Sequence, residues 1–148
     1  MPKSVPTRRL ALIANVVRSI PRREAALRQF VEPYFLGVSE HDLAERAPRD
    51  LAALAAVHLD IGRSRSAGKS MVRVFNPGAA AGAAESPHTC VAIVTDDMPF
   101  LVDSVNMVFA AAGIAVHLIV HPVLDVVRDR RGRLREVAGH RDGAASAS

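Results

Sequence analysis

Cys90-Val-Ala-Ile-Val-Thr95, Asp96-Asp-Met-Pro99 and Phe100-Leu-Val-Asp-Ser-Val-Asn-Met-Val-Phe-Ala-Ala-Ala-Gly113 follow one another without a break, and their periodicity decides the fold. The first run is continuous, apolar and β-branched, which predicts a strand buried on both faces. The second is a turn. In the third, Leu101, Val102, Val105, Val108, Phe109 and Ala112 recur at helical spacing, giving an amphipathic helix, with Gly113 placed to cap its C-terminus. Residues 115–127 then read as a long strand. Pro122 inside it implies a bulge or a sheet edge, because proline has no N–H for a ladder. Asp129-Arg-Arg-Gly132 turns the chain, and residues 134–137 return. The order strand, helix, strand, strand is that of an incomplete ferredoxin-like unit, lacking its second helix and fourth strand. The fold class expected is therefore α+β.

Upstream, the pattern changes to helices. Residues 22–35 place Leu27, Phe30, Val31, Tyr34 and Phe35 on one face, with Pro33 as a kink or a stop. Ser39-Glu-His-Asp42 matches a capping box, a hydroxyl followed three residues on by a carboxylate. Pro48 opens the next helix, where its missing N–H costs nothing, and Leu51, Leu54, Ala55, His58 and Leu59 form its stripe up to Gly62. The organisation expected is a tail or short helix at 1–17 and a helical subdomain at 18–62. A linker follows at 63–89, with one strand (71–75) and a mobile Ala/Gly loop. The β-α-β-β unit occupies 90–138, and a disordered tail 139–148.

Net charge is +4 and aromatic residues make up 4% of the chain, with no tryptophan. Arginine clusters at 8–9, 22–23 and 128–135 read as solvated surface, since stacking platforms for single-stranded nucleic acid are scarce. Cys90 is the single cysteine, which rules out an intrachain disulfide and fits a reducing compartment. The apolar run at 10–17 is well short of the roughly 20 residues a membrane span needs. It is expected to be a packed helix, and the chain to be soluble and cytoplasmic, with no membrane or nucleic-acid partner.

Candidate chemistry is sparse. Asp96 and Asp97 stand at a strand-to-helix turn, where capping the helix and favouring its positive end explains both. Anions are disfavoured there by the two carboxylates and by Pro99, whereas a ligand offering an ammonium group is easier to accommodate. His117 and His121 would share a face of a strand at roughly 13 Å, too far for one metal ion at about 2 Å from each. His88 and Cys90 lack two further ligands. No glycine-rich dinucleotide loop, phosphate loop or nucleophile elbow is present. No catalytic, cofactor-binding or metal residue is expected in this chain.

The strings Thr95-Asp-Asp-Met-Pro-Phe-Leu-Val-Asp-Ser-Val105 and Val116-His-Leu-Ile-Val-His-Pro-Val123 closely resemble the N-terminal region of the large bacterial NAD-specific glutamate dehydrogenases. So do Val72-Arg-Val-Phe-Asn-Pro77, Glu85-Ser-Pro-His-Thr89 and the helical stretch from Asp42 to Leu54. The resemblance covers residues 22–137. It implies an ACT-like module preceding a far larger chain that oxidises L-glutamate to 2-oxoglutarate and ammonia with NAD. No nicotinamide site or catalytic residue maps onto this chain. The expectation is a regulatory or assembly segment, from a truncated gene or a fragment, or with the rest encoded elsewhere. Its partners would be the remainder of that enzyme, another copy, or an amino-acid effector. The alternative is a stand-alone amino-acid sensor. If the chain binds an amino acid, the turn Asp97, Met98, Pro99, Phe100 and Leu101 is the expected effector site.

Overall fold

The computed structural model describes residues 7–76 and 88–141, for the last two of these the backbone alone. The loop expected at 79–87 and the last seven residues lie outside the described residues. Four helices come first: α1 (Thr7–Arg18), α2 (Ala25–Phe35), α3 (Glu40–Ala44) and α4 (Pro48–Gly62). The apolar run at 10–17 is α1, and it buries Ile13 and Val16. Pro33 does not break α2, which runs on for one more pair of residues before it ends. Ser39 caps α3, its hydroxyl accepting the Asp42 N–H at 3.1 Å. The Asp42 carboxylate in turn accepts from the Ser39 hydroxyl at 3.0 Å, a reciprocal pair made through the side chain instead of the cap's own N–H. Pro48 opens α4 as expected. The core lies among these helices: Ile13, Val16, Ile20, Phe30, Val31, Tyr34, Phe35, Val38, Leu43, Leu51, Ala52, Ala55 and Leu59 form one buried cluster, in which Phe35, Val16 and Val31 are the largest fully buried side chains.

The α+β class holds. Two antiparallel ladders follow the helices. β1 (Met71–Phe75) pairs with β2 (Cys90–Val94), from Met71 opposite Val94 to Phe75 opposite Cys90. β3 (Val123–Arg128) pairs with β4 (Leu134–Arg141), with register shifts after Asp125 and after Val127. Among the described residues the ladders are separate, so β2 lies beside β1 and not beside the hairpin. The strand expected over 115–127 starts at Val123, because Pro122 has no N–H to give and residues 115–122 find no ladder partner among the described residues. β4 extends to Arg141, three residues into the expected tail, since Asp125, Leu124 and Val123 continue the ladder opposite it.

Between the ladders runs α5 (Leu101–Ala111). Its C-terminus is a Schellman motif: Ile114 N–H bonds the Phe109 carbonyl at 2.9 Å and Gly113 N–H the Ala110 carbonyl at 3.1 Å. Gly113 takes the left-handed conformation this requires, at φ 70°. The predicted helix is thus present, yet it buries no residue. The hairpin is better anchored, with Leu124, Leu134 and Val137 packed against the helical core beside Leu118 and Val120.

The hairpin turn docks on the linker after α4. Arg65 N–H donates to the Gly132 carbonyl at 3.0 Å and Leu134 N–H to the Arg63 carbonyl at 2.7 Å. Asp129 ties the turn internally, accepting from the N–H groups of Arg131 (2.8 Å) and Arg133 (3.0 Å) and from the Arg135 guanidinium (2.9 Å). Gly132 sits at φ 80°, and a Cβ there would fall 2.2 Å from the Arg65 carbonyl oxygen. Gly132→Ala is therefore expected to lower stability by about 2–4 kcal/mol through strain and loss of the docked turn. Gly113→Ala meets nothing within 4 Å at φ 70°. It should cost about 1 kcal/mol, the left-handed backbone alone. Urea unfolding midpoints of the two variants test the ordering.

Candidate functional site

The expected effector turn is an exposed corner. Asp97, Met98, Pro99 and Phe100 face solvent and Leu101 is half-buried. Neither aspartate caps α5. The cap position is Phe100, left-handed at φ 62°, ψ 16°, with no side-chain cap bond. A non-glycine residue in that conformation stores about 1 kcal/mol or more. Asp96 bonds the Arg65 guanidinium at 2.6 Å instead, because it lies too far ahead of the first helical turn to reach its N–H groups. The Arg65 side chain is nearly covered, and its second nitrogen donates to the Lys69 carbonyl at 2.8 Å. A cleft of about 380 Å³ opens next to the turn, lined by Tyr34, Gly37, Val38, Val102, Ile119, His121 and Pro122. Its lining begins at Val102, one residue past the expected site.

The histidines are dispersed. His121 lines that cleft, while the His117 ring lies against His88 with centroids 4.4 Å apart. Among the described residues no group of three or more His, Cys, Asp or Glu side chains is placed to hold a metal. The β2–α5 turn carries two carboxylates and a proline where a pyrophosphate would need free N–H groups, so these residues do not fit NAD.

A half-buried relay joins residues whose sequence pattern reads as plain packing. The Tyr34 hydroxyl and His58 Nδ1 are 2.8 Å apart, and His58 Nε2 is 3.1 Å from the Ile93 carbonyl. A carbonyl can only accept, so Nε2 carries the proton, and Nδ1 accepts from the phenol. The chain links α2, α4 and β2. Burial pushes the His58 imidazole below its ordinary value, against a smaller opposite pull from the Ile93 carbonyl. Burial, and then the neighbouring Cys90, push the Tyr34 phenol up. The Cys90 thiol is itself raised by burial. The available signal was His58 on an otherwise apolar helix stripe; its partners are 24 and 35 residues away.

A family profile described as glutamate dehydrogenase, ACT1 domain, matches residues 30–148. The chain belongs to this family. It is similar to an NAD-specific glutamate dehydrogenase of Halomonas elongata, 38% identical over 118 residues, which are 78% of this chain and 7% of that protein. It is likewise similar to an NAD-specific glutamate dehydrogenase of Pseudomonas aeruginosa, 32% identical over 108 residues, or 73% of this chain and 7% of that one. The chain thus spans a small fraction of the length of the curated relatives it matches. No solved structure matches it. No described helix is long and apolar enough to cross a membrane.

The relay gives two expected outcomes. Tyr34→Phe leaves the half-buried His58 Nδ1 without its partner and should cost about 1 kcal/mol in urea unfolding. The pH dependence follows from the depressed His58 value. Unfolded chain takes up this proton near pH 6.5, while the folded chain resists until lower pH, so the unfolded state binds more protons in between. The His58 contribution is complete above about pH 6.5 and is lost as pH falls below it. His58→Gln should flatten that part of the stability profile, and an unchanged slope between pH 7 and pH 5 would refute the assignment.

Proposed function

We propose that this chain is a regulatory or assembly segment of an NAD-specific glutamate dehydrogenase and turns over no glutamate by itself. Its ACT-like unit is residues 90–138, carried on the helical subdomain of 18–62. The observation that supports this reading is α5, an apolar helix inside the family-matched region that has no buried residue. Such a surface serves contact with another chain or domain better than it serves solvent. The parent enzyme oxidises L-glutamate to 2-oxoglutarate and ammonia, reducing NAD on residues outside this chain. Its partners are the rest of that enzyme and further copies of itself, in the cytoplasm. The lack of a membrane-crossing helix among the described residues and the single cysteine favour that compartment.

The cleft beside the turn favours a second reading, an amino-acid sensor. Asp97, Met98, Pro99, Phe100 and Leu101 precede its Val102 wall in the chain, and on this reading Asp97 would receive a ligand ammonium group. Calorimetry with a panel of amino acids tests it: a saturable heat from one of them, lost in Asp97→Asn, is expected, and flat traces throughout count against it.

For the leading reading, residues 1–148 with L-glutamate and NAD are expected to give no absorbance rise at the NADH band above buffer. Measurable turnover would sink it. Removing the matching segment from the Pseudomonas aeruginosa relative should change that enzyme's oligomeric state or its response to amino acids. No change in either would equally overturn the role.

A further inference from the structure

The outward side of α5 carries Phe100, Met107 and Val108 at 74%, 72% and 67% exposure, with Ile114 (55%) just beyond its end. Its charged rim is purely acidic. Asp97 in the turn before α5 and Asp103 on the helix are both exposed, and residues 74–127 contain no lysine or arginine. The next eight residues reverse this, with Arg128, Arg130, Arg131, Arg133 and Arg135 against Asp129. Arg130, Arg131 and Arg133 are exposed at the hairpin tip, and the same hairpin exposes Val126 and Val127. The α5 side thus pairs apolar side chains with acids, and the hairpin tip pairs them with a net positive charge, its exposed arginines outnumbering Asp129, while Asp125 and Glu136 lie farther along the strands.

The hairpin tip and the head of the α5 turn lie close together. Arg65 bonds Gly132 at the hairpin tip through its backbone and Asp96 at the head of the α5 turn through its guanidinium. Two complementary patches on one chain can meet their counterparts reciprocally about a two-fold axis, which closes a dimer instead of propagating a filament.

We propose that α5 pairs this chain with a second copy of itself, the acid-rimmed apolar face of one copy seated against the arginine-rich β3–β4 hairpin of the other. This rests on the assembly reading above and names its partner. Burial of Phe100, Met107 and Val108 supplies the affinity, and the opposed charges set register and orientation. Intermediate ionic strength screens the rim charges, so the dimer weakens as salt rises.

Sedimentation velocity of residues 1–148 over a range of concentrations, at low and high salt, tests this. A monomer–dimer equilibrium weakened by salt is expected. Met107→Glu with Val108→Glu should leave a monomer while the circular dichroism spectrum and urea midpoint stay as in the parent, since both side chains are exposed. Asp97→Arg with Asp103→Arg should raise Kd about tenfold or more. Arg130→Glu with Arg131→Glu should do the same, and the four changes together should restore pairing. A monomer at every concentration, a dimer indifferent to Met107→Glu with Val108→Glu, or no rescue by the combined reversal would overturn the proposal. The outcome is separate from that of the glutamate assay. A dimer that oxidises glutamate sinks the non-catalytic reading alone, and an inactive monomer sinks this one alone.

Discussion

Arg65 bonds three stretches of chain at one junction. Its backbone N–H holds the hairpin turn at Gly132, while its guanidinium holds Lys69 in the linker and Asp96 at the exit of β2. Arg128 adds a bond to the same Gly132 carbonyl at 3.0 Å. This brings two guanidinium groups close together, and burial followed by the Arg65 charge makes Arg128 a poorer proton holder than usual. Two neighbouring cations are tolerable here because Asp96 neutralises one and carbonyls accept from both. The close approach depends equally on what Gly132 lacks, since any side chain would occupy the space of the Arg65 carbonyl.

Local signals in the sequence were legible because they act within a few residues. The Ser39 cap, Pro48 at the head of α4, Gly113 at the end of α5 and the Asp129–Gly132 turn each depend on neighbours no more than about one helical turn away. Asp96 misled because an acid near a helix start usually caps it, and a guanidinium 31 residues distant outbid the helix. The long strand over 115–127 failed for a related reason. Its composition is right for a strand, but a strand needs a partner, and among the described residues none pairs with 115–122. The α5 stripe has helical periodicity, which the structure keeps, while periodicity cannot say whether anything covers the stripe.

The same distinction governs the site. The exposed turn at 97–101 was visible as a motif, whereas the Tyr34–His58–Ile93 relay consists of one tyrosine, one histidine and one carbonyl with no spacing rule between them. Its energetic weight comes from burial. A hydrogen bond of this kind adds little net stability when made, but either partner left alone in the core costs about 1–3 kcal/mol. The relay therefore acts more on specificity than on gross stability: it fixes where β2 can sit on α4. The Arg65 junction fixes the hairpin and the turn in the same way, so the β half is aligned by a few polar bonds and held by the helices' apolar cluster.

That division explains an oddity of the family match. The match starts at residue 30, inside α2, yet the core also contains Ile13, Val16 and Ile20 ahead of it. Within the matched region, β1 exposes Val72 and Val74, and α5 exposes Met107 and Val108. Two-stranded ladders have little independent stability and leave strand edges unpaired. The helices that bury the most apolar surface thus support a β-α-β-β unit that buries little of its own. Apolar side chains at the surface of such a unit are costly unless they are covered. On α5 they gather where the chain has no basic residue, which gives the contact surface proposed there a defined polarity.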